Sequence, residues 1–418
     1  MSPTQASEEN SQLKVGLWLI GARGGVAVTT MAGLIAQQRG LSSNSGLVSS
    51  LPPFAPLPLA RWNDFVVGGH DIREAPLIEE LERLHTTSRV LSPTLVEACR
   101  SEFEEIEKRI RPGTLWNVGE RIRSLAGPAS AGRSSGEDRG AKAPTAKTGE
   151  EVVAAVRADL AEFKEANSLD QVVVINLAST EVSPSESNSW PTKWEAFKEL
   201  LPTADCRLPA SSLYAIAALN GRMPYVNFTP SLGSALPALD DLARQRETCH
   251  AGRDGKTGET LLKSVLAPMF AARHLEVMSW VGHNIFGNLD GKVLDDPANK
   301  QAKLSSKGNL LGDILGYDPQ SHISIEHIES LGDWKTAWDH IHFRGFLDTP
   351  MTLQFTWQGC DSLLAAPLVL DLARFTLLAQ QRCEVGALEF LASFFKSPLG
   401  EGDQSFAAQY ERLLAWAT

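Results

Sequence analysis

Residues 14–38, KVGLWLIGARGGVAVTTMAGLIAQQ, carry the reading on which the fold turns. The short apolar run KVGLWLI is followed at once by GARGG, and then by VAVTTMAGLIAQQ, which has helical character. Strand, glycine turn and helix in that order open a dinucleotide-binding βαβ unit, in which bare backbone N–H groups at a helix N-terminus approach a pyrophosphate. Gly21, Gly24 and Gly25 supply the small residues; Ala22, Arg23 and Val26 complete the turn. The usual G-x-G-x-x-G is not met, because Arg23 occupies the second glycine position. A glycine turn after a first strand can also be purely structural.

Outward from this unit the α/β rhythm continues. The strand DFVVGG leads to His70-Asp71, and Asp71 stands where an acidic residue would meet the adenosine ribose. A helix N-cap is the alternative role, since IREAPLIEEL follows. A carboxylate at that place favours NAD over NADP by repelling a 2′-phosphate, while Arg73 keeps NADP open. Ser92-Pro93 starts a helix whose apolar residues, from Leu95 to Ile110, keep helical spacing up to Pro112-Gly113. Then come helix EEVVAAVRADLAEF, strand QVVVINLAS, a helix around WPTKWEAFKEL, helix SSLYAIAAL and strand YVNFT. Unbroken Val/Ile strands alternating with helices indicate a parallel sheet covered on both faces. After about residue 260, HISIEHI, HIHFRGF and TLQFTWQG alternate apolar with polar residues, as antiparallel strands with one buried face do. The fold class is therefore α/β: a Rossmann-like doubly wound parallel sheet at 13–259, and a second α+β domain at 260–362 on an antiparallel or mixed sheet. The apolar helix SLLAAPLVLDLARFTLLA, within 363–418, returns the chain to the first domain. Residues 1–12 and 127–149 are polar and expected to be disordered.

Composition narrows the function classes. A net charge of −11 and a pI near 5.4 argue against nucleic acid or an anionic membrane as partner. No signal peptide and no membrane span are expected from the sequence. The five scattered cysteines contain no CxxC pair, which argues against a zinc site or a disulfide framework and suits a reducing cytoplasm. His340 and His342 alternate on a strand but lack a third ligand, so no metal is expected. GRDGKTGET invites a P-loop reading around Lys256-Thr257. It fails because His250 takes the first glycine position and the preceding DDLARQRETCH reads as a polar helix rather than a strand. Lys303 and Lys307 sit four apart in AKLSSKGNLLGD; an anion between them would offset their repulsion, and a solvated pair is the plain alternative.

Nine blocks, in order from about residue 14 to 398, resemble the myo-inositol-1-phosphate synthase (inositol-3-phosphate synthase) family. They are DFVVGGHDI, NLASTE, ASSLYAIAALNGRMPYVNFTPS, GRDGKTGETLLKSVL, SWVGHNIFGNLDG, KLSSKGNLLGDIL, GDWKTAWD, CDSLLAAPLVLDL and FFKSPL. The resemblance implies NAD as cofactor, glucose 6-phosphate as substrate and a homotetramer formed through the second sheet. It places the family's active-site lysines on Lys303, Lys307, Lys335 and Lys396. Asp254 and Asp333 join them, and Thr257, Asn284, Asn288, Asp290 and Asp361 match substrate-binding positions. Asp71 and Ser179-Thr180-Glu181 match cofactor-lining ones. The chain departs from the family at the GARGGVA turn, at Ser179 where an asparagine is usual, and in LGSALP after YVNFTPS. The implied reaction oxidises C5 of glucose 6-phosphate, enolises at C6, closes C6 onto the C1 aldehyde and reduces C5 again. Each step develops charge on oxygen, which preorganised ammonium groups stabilise. Crowded ammonium groups also depress each other's pKa, making one available as a base. Lys303 and Lys396 are assigned to the C5 oxygen and its proton, Lys307 and Lys335 to the C1 oxygen and the phosphate. Asp361 and the GNLDG residues could alternatively serve as cap and turn.

Overall fold

The computed structural model describes residues 13–127, 146–182, 184, 187–288, 310–400 and 402–418. Seven strands form the first sheet: β1 (Val15–Ile20), β2 (Phe65–Asp71), β3 (Ile110–Pro112), β4 (Gln171–Asn176), β5 (Tyr225–Asn227), β6 (Cys249–Gly252) and β11 (Gly386–Ala387). Their spatial order is β11-β6-β5-β4-β1-β2-β3, and every pairing is parallel. The strand order reverses between β1 and β4, which creates a crevice beyond their carboxyl ends where such sheets bind ligands. All six residues of β1 are buried, because helices cover both faces of the sheet. One apolar core packs the sheet against helices Gly25–Gln38, Leu77–Ser88, Pro93–Glu107 and Asp361–Gln381. A second core on the other face gathers helices Gly149–Ala166, Ala210–Asn220 and Pro237–Gln245.

The second sheet contains β7 (Glu276–Phe286), β8 (Gln320–His327), β9 (Trp334–Arg344) and β10 (Pro350–Cys360), in the order β10-β9-β7-β8. β9 runs antiparallel to both β10 and β7, as the alternation predicts. β8 pairs parallel with β7, so the sheet is mixed. Helix Gly258–Ala272 covers one face through Ala267 and Phe270, which meet Val277, Trp280 and Ile341.

Several expectations need correction. Ile110 belongs to the edge strand β3, not to the preceding helix, which stops at Glu107. The 127–149 segment is ordered at its end: Gly149 opens a helix, and the Thr148 side chain accepts the Glu151 N–H at 3.2 Å. The rest of that segment, at 128–145, lies outside the described residues, as does 1–12. A strand does precede GRDGKTG: Cys249–Gly252 is β6, whose small residues conceal a fully buried position. Helix Asp361–Gln381, at 21 residues, is long and apolar enough to cross a membrane, contrary to the sequence reading. Most of it is instead buried beside helix Gly25–Gln38 in the first core. Its Asp371 also anchors the Gly/Ser/Pro-rich stretch at residues 39–60 by accepting the backbone N–H groups of Val48 and Ser49 at 2.6 and 3.1 Å.

Candidate active site

A single pocket lies at the carboxyl ends of the parallel strands and extends to the second sheet. Its first wall is the glycine turn. Gly21 has φ +81°, and a Cβ there would stand 2.8 Å from the Ala178 backbone. Only glycine fits that conformation and that approach. Gly24 is the N-cap of helix Gly25–Gln38 and caps it with no side chain, so the first-turn N–H groups face the pocket unobstructed. A Cβ on Gly25 would meet Ser362 Oγ at 2.7 Å, so the second half of the chain closes down directly onto the turn.

Gly21, Gly24, Gly25 and Val26 line the pocket. Ala22 and Arg23 do not. Ala22 is buried, and the Arg23 guanidinium runs away from the pocket to the Ala75 carbonyl and to Glu107 at 2.5 Å. Arg23 can thus stand where a glycine is usual, because its side chain has another destination. Its backbone N–H donates to Asp71 Oδ2 at 2.6 Å, and the Arg73 N–H donates to Asp71 Oδ1 at 2.7 Å. Asp71 is no helix N-cap: the next helix starts at Leu77, after Pro76. It clamps the end of β2 to the glycine turn while lining the pocket. Burial pushes its carboxyl up, and Arg73 and the two N–H groups oppose that. Ser179, Thr180 and Glu181 follow β4 and also line the pocket. Glu181 accepts the Ser211 N–H at 3.0 Å and the Ser211 hydroxyl, so it satisfies the start of helix Ala210–Asn220. Burial pushes the Glu181 carboxyl up to about 7.

A dinucleotide fits this wall. Bare helix N–H groups face the crevice, Gly21 and Gly25 let Ala178 and Ser362 pack against the turn without a Cβ in the way, and a carboxylate closes β2 where a ribose would lie.

The opposite wall is made of charged side chains from three distant segments. Lys396 donates to Asp254 Oδ1 at 2.7 Å, and its backbone N–H donates to the Asp254 carbonyl at 2.6 Å. Asp254 follows β6, so the C-terminal segment reaches the site by pairing with the GRDGKTG turn. Lys335, at the start of β9, lies 4.0 Å from Asp361 Oδ1 and 5.3 Å from the Phe286 ring centre. Asp333 organises this corner. Its Oδ2 accepts the Ser362 N–H at 2.9 Å and the Cys360 thiol at 2.8 Å, and its Oδ1 accepts the Ser362 hydroxyl at 3.0 Å. Asp333 therefore caps helix Asp361–Gln381, with Cys360 in the N-cap position. Asp361 is the first helical residue rather than its cap. Burial pushes the Asp333 carboxyl up. Asn288 Nδ2 reaches Asp333 and Asp361 at 3.4 and 3.5 Å. Thr257 lines the pocket as N-cap of helix Gly258–Ala272. Asn284 does not line it; it is buried on β7, and its amide has no hydrogen-bond partner among the described residues. Lys303, Lys307 and Asp290 lie outside the described residues. Among the described residues, no group of three His, Cys, Asp or Glu could hold a metal ion.

Two participants escaped the sequence reading. Ser362 links Asp333 to the glycine turn, and only the fold brings them together. Lys256 is buried, donates to Gln409 of helix Phe406–Ala417, and is pushed down to about 8 by burial and by the Lys396 ammonium. This depressed lysine stands behind the pocket wall, outside the set of lysines that the resemblance names. A lysine enclosed by glycines and apolar residues in GRDGKTGETLL was the available signal.

The family model described as myo-inositol-1-phosphate synthase, an NAD-binding family, matches residues 15–417. The chain is 30% identical over 407 residues to inositol-3-phosphate synthase 1 of Bacteroides thetaiotaomicron, covering 92% of this chain and 90% of that protein. It is 28% identical to the inositol-3-phosphate synthase of Dictyostelium discoideum, covering 86% of this chain and 73% of that one. Among solved structures, a myo-inositol-1-phosphate synthase-related protein from Thermotoga maritima superposes with a TM-score of 0.75 at 25% identity, covering 97% and 98% of the two chains. The Caenorhabditis elegans inositol-3-phosphate synthase shares the fold with a TM-score of 0.84 at 22% identity, covering 97% of this chain and 86% of that one. With a dinucleotide crevice, a wall of paired lysines and a match running almost from end to end, this chain belongs to the myo-inositol-1-phosphate synthase family.

Proposed function

We propose that this chain is an inositol-3-phosphate synthase that converts D-glucose 6-phosphate into 1D-myo-inositol 3-phosphate with NAD as a recycled cofactor. The observation that carries the reading is the continuity of one pocket from the glycine turn to Lys335 and Lys396. A hydride removed from a substrate held by those lysines can be returned in the same enclosure. NAD, when bound, accepts and returns that hydride.

The chain's own residues supply the rest. Lys396, held by Asp254, is assigned to the C5 oxygen and its proton, together with Lys303. Lys335, beside Asp361, is assigned with Lys307 to the C1 oxygen and the phosphate. Ammonium groups fixed in a water-poor pocket stabilise developing oxyanions without reorganising. Asp254 and Asp333 orient this set: the first holds Lys396, the second fixes the helix start next to Lys335. Thr257, Asn288, Asp290 and Asp361 are assigned to substrate hydroxyl and phosphate groups. Asn284, which stands behind the pocket wall, is added on the family resemblance alone. Gly21, Gly24, Gly25, Val26, Asp71, Ser179, Thr180 and Glu181 form the cofactor side.

A cytoplasmic homotetramer completes the proposal. The exposed apolar residues on the second sheet and its hairpin, with Phe346 at 88% and Leu347 at 81% exposure, support assembly through that sheet. Incubation with glucose 6-phosphate and NAD+ tests the activity. Formation of inositol phosphate without net NADH is expected; stoichiometric NADH, or no product, would refute it.

A further inference from the structure

We propose that Glu80 sets the preference for NAD over NADP by occupying Arg73 and Arg83, the two guanidinium groups that could otherwise take a 2′-phosphate. The inference rests on the dinucleotide reading of the pocket. Asp71, Arg73 and Arg83 line the pocket at the end of β2, where the adenosine ribose of a bound dinucleotide lies. In NADP-binding relatives of this architecture, an arginine at this place accommodates the extra phosphate. The sequence here offers a carboxylate and an arginine two residues apart, which would pull in opposite directions.

The structure resolves the conflict one layer further out. Glu80, on helix Leu77–Ser88, is buried, with 7% of its surface exposed. Its Oε1 accepts from Arg73 Nη1 at 3.2 Å, and its Oε2 accepts from Arg83 Nη2 at 2.6 Å. Arg73 Nη2 donates to the Arg23 carbonyl, and Arg73 Nε lies 3.9 Å from Asp71. Both terminal nitrogens of Arg73 are thus hydrogen-bonded, with Nε within ion-pair range of Asp71. The third arginine of the cluster, Arg23, is taken by Glu107 and the Ala75 carbonyl.

Three guanidinium groups therefore face Asp71, Glu80 and Glu107, and the cluster is balanced without a ligand. A 2′-phosphate would have to draw Arg73 or Arg83 away from Glu80, leaving that buried carboxylate with one cation in place of two. It would also lie beside Asp71. A 2′-hydroxyl asks for neither.

Isothermal titration of the full-length protein with NAD+ and with NADP+ tests this. Wild type should bind NAD+ the more tightly. Glu80→Gln, which frees the arginines, should raise the ratio of NADP+ to NAD+ affinity by about tenfold or more. Adding Arg83→Gln should remove most of that gain. Should Glu80→Gln fail to fold by circular dichroism, Glu80→Asp keeps the charge but cannot reach both arginines. It should raise the same ratio by about threefold. An unchanged ratio in a folded Glu80 variant overturns the proposal. A wild type that binds neither dinucleotide would overturn the cofactor reading itself, and this proposal with it.

Discussion

The two walls of the pocket are built from different materials. The cofactor wall is mostly backbone: a positive-φ glycine, an uncapped helix start and a carboxylate clamping one loop to the next strand. The reaction wall is side-chain charge, set as Lys396 against Asp254 and Lys335 near Asp361. Backbone positions are fixed by local sequence, and a single turn specifies them. Paired charges have to be assembled from segments as far apart as residues 254 and 396. The first wall should therefore respond to changes of shape, and the second to changes of charge.

The sharpest way to break this distinction is Lys396→Met, which keeps length and removes charge. Turnover with glucose 6-phosphate should fall by about 10³-fold, the scale of losing a preorganised oxyanion partner, while NAD+ affinity moves by less than about threefold. An equal loss in both would show that the walls are not separable. Glu181→Gln probes a carboxyl on the cofactor wall that burial shifts into the neutral range. Its pKa is raised from 4.5 to about 7, so the native state holds the proton more tightly than the unfolded chain. That contribution is complete below pH 4.5 and is lost as pH rises through 7, on the order of 3 kcal/mol in all. Chemical denaturation of Glu181→Gln across this window should lack that part of the pH dependence. A slope identical to wild type would mean that Glu181 ionises normally. The smallest effect is expected at Gly25→Ala. The new methyl would displace Ser362 Oγ, and NAD+ binding should weaken about tenfold. Ser362→Ala in the same chain should restore part of it; no restoration would contradict the steric account.

The same contrast explains what was legible in the sequence. The parallel sheet could be read because buried strands such as Val15–Ile20 and Gln171–Asn176 carry unbroken apolar runs. β6 could not be read, because Cys-His-Ala-Gly is hidden by its neighbours rather than by its own apolarity. β8 looked antiparallel because alternation reports a half-exposed face, which is common in antiparallel sheets but also occurs in a parallel strand at the edge of a mixed sheet. In the site, the glycine turn was visible locally, and its irregular Arg23 became intelligible only once Glu107 and Ala75 were found beside it. Lys335, Lys396 and their carboxylates were reached through a family resemblance, since nothing local to GDWKTAWD or FFKSPL marks a lysine as catalytic. Asp333 as the cap of helix Asp361–Gln381, and Lys256 behind Lys396, depend on tertiary contacts that no spacing encodes.

On the proposed function, hydride leaves and returns within one pocket. Glucose 6-phosphate deuterated at C5 tests it most directly, with unlabelled NAD+ in excess and the product analysed by mass spectrometry and NMR. Inositol phosphate that keeps its deuterium is expected, with no labelled NADH in solution. Product that has lost the deuterium, or deuterium-bearing NADH accumulating with turnover, would contradict it.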